Sequence, residues 1–302
     1  MNNNFKSGFI SIVGRTNVGK STLLNLLLGQ KISIVSNRPQ TTRNNIRCIR
    51  TTGTSQMVFI DTPGFHKPKS KLSDYMVEVA GESYKEVDVI LFLVEEDTTI
   101  GKGDEFLIEK LKKEKTPVIL VINKIDKITK DEILGKIKLY EKYDFIKEIV
   151  PISAMKGENI NELVEVIEKY LPQGPMYFPE DMVTDRSERF VISELIREKI
   201  LRSLKEEIPH GTAVEVMLMK KRNNKDLYDI EANIYTEREN HKRIIIGKNG
   251  SMLKKIGSDS RREIEEMLGT KVNLKLWVKV KDEWRDKQNI LNSLGYNKKD
   301  EL

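Results

Sequence analysis

The sequence predicts an α/β domain built on a mostly parallel sheet with helices on both faces, followed by a smaller α+β domain. Three observations predict it. From residue 7 to 171, short apolar runs alternate with amphipathic stretches, the pattern of a buried parallel sheet joined by crossover helices. LPQGPMYFP (171–179) then places three prolines and a glycine in nine residues, a linker signal. Beyond it the order of elements changes. The expected boundaries are 1–171 for the first domain, 172–180 for the linker and 181–302 for the second.

In the first domain GFISIVG, QMVFID, VDVILFLVE, PVILVIN and EIVPIS read as buried strands, with helices at KSTLLNLLLG and ENINELVEVIEKYL. In the second, a long amphipathic helix over about 186–206 precedes two strand-like runs, AVEVMLMK and LYDIEANIYTER. HKRIII and SMLKKIGSDSRREIEEML read as two helices across a tight turn, and KVNLKLWVKV (271–280) as a closing strand. Met217 and Met219 read as core residues. Trp277 and Trp284 invite a base-stacking reading, but Trp277 alternates with apolar neighbours on a strand, and core packing is preferred for it. Cys48, in the strand-like IRCIR, reads as a small inert side chain.

Composition narrows the function. A chain of 302 residues can bury two cores, and 32% charged with 38% hydrophobic content describes a globular protein. The longest apolar runs, VILFLV and PVILVI, fall far short of a membrane span. MNNNFKSGF lacks the basic-then-apolar pattern of a signal peptide. A single cysteine excludes an internal disulfide framework and a CxxC zinc site, and fits a reducing cytoplasm. Residues 241–281 hold eleven Lys or Arg against four Asp or Glu, a local +7 in a chain of +6, so the remainder sums to −1. Such a confined basic block is an electrostatic footprint for a polyanion.

GRTNVGKS (14–21) matches GxxxxGK[ST] between a strand and an apolar-periodic helix. Backbone N–H groups of such a loop cradle phosphates, Lys20 reaches the β- and γ-phosphates, and Ser21 ligates Mg²⁺. Gly14, Asn17, Val18, Gly19, Lys20, Ser21 and Thr22 are the phosphate candidates here. NKID (123–126) selects guanine, because the Asp126 carboxylate can accept from both the ring N–H and the exocyclic amine. Asn123 is expected to tie this loop to the phosphate loop, and the Lys124 stem to pack on the base. In SAMKG (153–157), Ser153 and Ala154 place backbone N–H groups near the guanine carbonyl. DTPG (61–64) closes a strand, so Asp61 can hold Mg²⁺ through water and the Gly64 N–H can sense the γ-phosphate. In SNRPQTTRNN (36–45), Thr42, or its neighbour Thr41, is the candidate for the hydroxyl that completes the metal shell. Lys20, Thr42 and Gly64 are the candidates for transition-state charge and water positioning.

With all five motifs in unpermuted order, residues 8–171 resemble the GTPase domain of the translation-factor-related class. The match is closest to the Era family of ribosome-assembly GTPases, to which PQTTR and DTPGFH are specific. The residue after DTPG is Phe65 rather than the glutamine that orients water in Ras-like enzymes. The resemblance implies that this hydrophobic side chain swings away from the γ-phosphate. Asn17 matches an asparagine that helps bind K⁺ in related members, so slow intrinsic turnover assisted by K⁺ is expected. His66, a lone histidine in a polar loop, is left out of the chemistry.

IIIGKNG (244–250) joins the second domain's helix pair through a GxxG turn, the layout of a KH domain that clamps about four nucleotides of single-stranded RNA. Both strands precede the helix pair and one follows, as in the type II variant. Gly247, Lys248, Asn249, Gly250, Lys254 and Lys255 are the RNA candidates, with Arg261 and Arg262 at the groove or on plain surface. The resemblance then implies a monomeric switch that binds the single-stranded 3′ end of 16S rRNA and assists 30S maturation. GTP and GDP are its nucleotides, and contact with the cytoplasmic membrane is peripheral. Two other readings compete. A nearly inert GTPase could serve as a binding module whose basic domain recruits a protein or an anionic membrane. A P-loop ATPase or kinase is opposed by NKID.

Overall fold

The computed structural model describes residues 4–36, 41–64, 70–97 and 99–297. They pack as two units: residues 4–33, 42–64, 76–97 and 99–185, and residues 34–36, 41, 70–75 and 186–297.

From residue 6 to 170 the chain runs β1 (Lys6–Gly14), α1 (Lys20–Leu28), β2 (Ile46–Thr51), β3 (Ser55–Asp61), α2 (Lys71–Glu82), β4 (Val89–Val94), α3 (Lys102–Leu111), β5 (Val118–Ile122), α4 (Lys130–Tyr140), β6 (Ile146–Pro151) and α5 (Ile160–Tyr170). The sheet order is β2-β3-β1-β4-β5-β6. Every pairing is parallel except β2 with β3. The order moves one way from β1 to β3 and the other way through β4, β5 and β6. Right-handed crossovers therefore place helices on opposite faces. Burial agrees, since successive residues of both parities along β4 and β5 are buried. Ile90, Phe92, Val94, Leu120 and Ile122 meet Leu107, Leu111 and Tyr140 of α3 and α4 on one face. The reversal opens a crevice at the carboxyl end of β1, where a doubly wound sheet binds its ligand.

The Pro-rich segment after α5 is fastened rather than slack. The carbonyls of Pro172 and Pro175 accept from the Ser7 N–H and hydroxyl at 3.1 and 2.7 Å, and the Gln56 amide bonds the backbone of Tyr177 and Phe178. Cys48 of β2 is buried, and burial pushes its thiol pKa well up, so it stays inert.

The second unit contains α6 (Glu188–Ser203), β7 (Ala213–Lys221), β8 (Leu227–Thr236), α7 (Glu239–Ile246), α8 (Ser251–Leu268), β9 (Lys271–Val280) and α9 (Gln288–Ser293). Its sheet order is β7-β8-β9, with β7 antiparallel and β9 parallel to β8. Ile192, Ile196 and Ile200 of α6 pack with Ile230, Ala232 and Ile234 of β8 and with Ile256 and Ile264 of α8.

Two core assignments are corrected. Trp277 is 41% exposed, because Leu274, Leu276 and Val278 of β9 take the core side and Trp277 falls on the opposite parity with Lys275 and Lys279. Met217 is 52% exposed, because a bulge between Val216 and Leu218 shifts its register. Met219 does pack against the core. The buried indole is that of Trp284, whose Nε1 donates to the Gly211 carbonyl at 2.9 Å and whose ring stacks on Tyr296. Trp284→Ala should therefore cost the second unit about 3–5 kcal/mol, read as a lower urea midpoint for that unit's transition.

Candidate functional site

The loop between β1 and α1 makes a left-handed turn at Asn17 (φ 68°) and again at Gly19 (φ 102°). A Cβ on Gly19 would lie 2.2 Å from the Asn123 amide nitrogen, so no other residue fits there. Lys20 is buried, and its Nζ donates to the carbonyls of Gly14 and Arg15 at 3.0 and 2.7 Å. Burial lowers its pKa to about 8, against the attraction of Asp61. Val18 is buried and its carbonyl is bonded, whereas Thr22 is half-buried in the first turn of α1. Gly64, past the end of β3, lies directly against Thr16 of this loop.

Beneath the loop, the hydroxyls of Ser21, Ser33 and Thr42 converge on Asp61 Oδ2 at 3.1, 2.5 and 3.3 Å. Asp61 is fully buried, and its Oδ1 has no hydrogen-bond partner among the described residues. Burial pushes this carboxyl's pKa up, and the three hydroxyls and Lys20 pull it back. An orphaned anionic oxygen beside hydroxyl donors fits Mg²⁺, which takes few protein ligands and keeps water and phosphate oxygens. The structure separates the two threonine candidates. Thr42 faces Ser21 at 3.2 Å, whereas the Thr41 hydroxyl turns to the Ser36 carbonyl.

At the ends of β5 and β6, Asn123 joins three loops. Its Nδ2 donates to the Val18 carbonyl at 2.8 Å, and its Oδ1 accepts from the N–H groups of Lys124 and Ala154 at 2.8 and 3.0 Å. The tie to the phosphate loop is the expected one. The Ala154 N–H, expected to face a guanine carbonyl, is given to Asn123 here and braces the loop. Asp126 is exposed, and its Oδ1 accepts from the Ser153 hydroxyl at 2.5 Å.

Several positioning residues escaped the motifs. Ser33 has no signal in its serine-rich surroundings. Arg15 pairs with Glu95, Asp97 and the buried Asp104 at 3.2, 2.7 and 3.1 Å, and Glu95 also holds Lys124 at 2.5 Å. Within the second unit, Arg197 of α6 donates to the Thr41 carbonyl, Arg202 donates to the Val35 carbonyl at 3.0 Å, and Glu198 accepts from the Val35 N–H at 3.3 Å. Phe65 and His66 lie outside the described residues.

The second candidate site is the turn between α7 and α8. Gly247 (φ 74°) has no room for a Cβ, which would sit 2.7 Å from the Met252 Cβ. Lys248 and Asn249 are exposed at the tip. Beside it runs a groove of about 370 Å³ lined by Gly250, Leu253, Lys254, Ser258, Arg261 and Leu276, among others. Lys254 and Arg261 thus reach the groove, while Lys255 is exposed outside its lining. Leu253, Ser258 and Leu276 were not anticipated, although 250, 254, 258 and 261 share one helical face.

Lys20 supplies a pH test. Its folded pKa of about 8 lies below the ordinary lysine value of 10.5, so the unfolded chain holds that proton to higher pH and stability rises across this window. Relative to Lys20→Met, the ligand-free parent should gain about 2–3 kcal/mol between pH 8 and 10.5. A gap independent of pH would contradict the buried placement.

Comparison with known proteins supplies the family. Residues 9–124 match the model of the 50S ribosome-binding GTPase family and residues 207–285 that of the KH domain. GTPase Era of Clostridium botulinum (strain Alaska E43 / Type E3) is 57% identical over 98% of this chain and 100% of its own length. Its counterpart in Clostridioides difficile (strain 630) is 56% identical over 98% of this chain and all of its own. A crystal structure of an Aquifex aeolicus Era variant bound to GDP·AlF₄⁻ superposes with TM-score 0.92 at 43% identity, covering 97% of this chain and 99% of that one. Equal values hold for an Era complex with MgGDPNP and nucleotides 1506–1542 of 16S ribosomal RNA. With a phosphate loop, a guanine loop and a GxxG helix pair on one chain, and this identity along nearly all of it, the chain belongs to the Era family of GTPases.

Proposed function

We propose that this chain is a GTP-hydrolysing switch that binds the single-stranded 3′ end of 16S rRNA and assists 30S subunit assembly. Residues 1–171 do the hydrolysis, 172–180 link, and 181–302 bind RNA. The observation that carries the reading is the convergence of Ser21, Ser33 and Thr42 on Asp61 below a phosphate loop. The Era complex with MgGDPNP and 16S rRNA supports the partners.

In this reading the N–H groups from Gly14 to Thr22 and the Lys20 ammonium hold the phosphates, and Ser21, Thr42 and, through water, Asp61 hold Mg²⁺. When bound there, the metal would supply positive charge that stabilises the phosphate oxygens. Lys20 neutralises charge that builds on the leaving side, and the Gly64 N–H and the Thr42 backbone orient water at the γ-phosphate. Asn123, Lys124, Asp126, Ser153 and Ala154 form the guanine end. Asn17, exposed on the loop, is the side chain that can share K⁺. On the second unit Gly247, Lys248, Asn249, Gly250 and Lys254 take the RNA, and Lys255 adds charge outside the groove. The protein is proposed to be monomeric and cytoplasmic, with peripheral membrane contact. No described helix is long and apolar enough to cross a membrane.

Steady-state GTP turnover, with and without an oligonucleotide matching the rRNA 3′ end, tests the switch. RNA should raise the rate and Asp61→Asn should lower it, about 10–100-fold for loss of a carboxylate that holds the metal through water. RNA affinity that is the same with GTP and GDP would remove the switch. Replacing K⁺ by Na⁺ should slow turnover, and equal rates would remove K⁺. Asp126→Asn should cost at least about a hundredfold in GTP affinity while ATP still binds poorly.

A further inference from the structure

The edge strand β9 turns one face to the groove and the other to solvent. Leu274 and Leu276 line the groove. Lys275, Trp277 and Lys279 stand on the opposite face by the alternation of a strand. Trp277 is exposed between two exposed lysines, although an indole of this size normally gains by burial.

The acidic groups of that face are already engaged. Glu231 pairs with Lys275 at 3.3 Å, Asp229 accepts from Arg222 at 2.6 Å, and Glu215 accepts from the Tyr235 hydroxyl at 2.7 Å. Lys279 makes no ion pair among the described residues, and Lys281 lies over the Tyr235 ring at 3.9 Å. The face thus presents one flat aromatic with surplus positive charge beside it, the chemistry that stacks a base and holds its phosphate.

Resting on the RNA reading above, we propose that single-stranded RNA leaving the groove crosses the free edge of β9 and stacks one base on Trp277, with Lys279 on the adjacent phosphate. Leu276 and Trp277 are consecutive residues on opposite faces, so the path from groove to indole is one strand wide. β9 is the last strand of its sheet, so no neighbouring strand stands in the way. A lipid surface fits less well, because interfacial elements bury a broad apolar face. Here the indole and the exposed Leu218, opposite Glu231 on β7, are set among Asn273, Glu231 and lysines, too little apolar area for such a face.

The chain has two tryptophans and Trp284 is fully buried, so acrylamide-accessible emission belongs to Trp277. The test uses the full chain with Mg²⁺ and a non-hydrolysable GTP analogue. Two end-labelled RNAs from the 16S 3′ end are compared, one of about four nucleotides to fill the groove and one about three times longer. Label anisotropy reports binding and tryptophan emission reports stacking.

Both RNAs should bind, and only the longer should quench the accessible emission. Trp277→Ala should weaken the longer RNA about tenfold or more and leave the shorter within about twofold. Trp277→Phe should retain most of the affinity. Lys279→Glu, a surface change that leaves the core intact, should also weaken only the longer RNA, and the emission of Trp284 checks that each variant is folded. Binding of the longer RNA without quenching, or equal weakening of both lengths, overturns the proposal while the RNA reading stands. Quenching by brominated phosphatidylglycerol vesicles and not by RNA gives the face to a membrane and overturns it. If neither RNA binds, the RNA reading itself falls and this proposal with it.

Discussion

One buried amide sets the geometry of the nucleotide end. Asn123 has a single donor group and a single acceptor oxygen in play. It uses them on the Val18 carbonyl and on the N–H groups of Lys124 and Ala154. Three loops from three strands are thereby fixed to one side chain. Gly19 follows as a consequence, since the amide occupies the space that a side chain would need. A buried amide left with unsatisfied partners costs about 1–3 kcal/mol, so the loops and the asparagine stand or fall together.

The same edge of the sheet carries two buried charges of opposite sign, Lys20 and Asp61. Burial acts against both, lowering the proton affinity of the one and raising that of the other. Their mutual attraction offsets part of this, and the remaining cost falls to carbonyls of the loop and to three hydroxyls. Two unlike charges held apart by neutral donors and acceptors suit a ligand that brings its own anion and its own cation. In the proposed reading, phosphate answers the lysine and a divalent metal answers the orphaned Asp61 oxygen. Preorganised groups of this kind need little rearrangement when charge develops.

Much of this was legible in the sequence because the fold puts its chemistry at strand ends. Apolar runs locate the strands, so GRTNVGKS, DTPG, NKID and SAMKG fall along one edge on sequence grounds. The order of the helices and strands after residue 186 was legible for the same reason. Trp277 was misread although its alternation was in view. In KLWVKV the indole shares parity with the lysines, and parity outranks hydrophobicity on a strand with one wet face. Met217 could not be read in that way, since a bulge moves it and a bulge leaves no mark in a run such as VEVMLMK.

The residues that stayed hidden act across long sequence separations with no motif to announce them. Ser33 reaches Asp61 from the far side of α1. Arg197 is fully buried, holds Glu194 and donates to the Thr41 carbonyl 156 positions away. From sequence alone it is one arginine among many on a charged helix. Its placement matters within the second unit, which takes in residues 34–41 as well as α6. A buried guanidinium is costly to leave unpaired, and the Thr41 carbonyl answers part of that cost. Glu198 and Arg202 of the same helix engage the N–H and the carbonyl of Val35, so α6 holds this short segment by charged groups at two points that no sequence pattern joins.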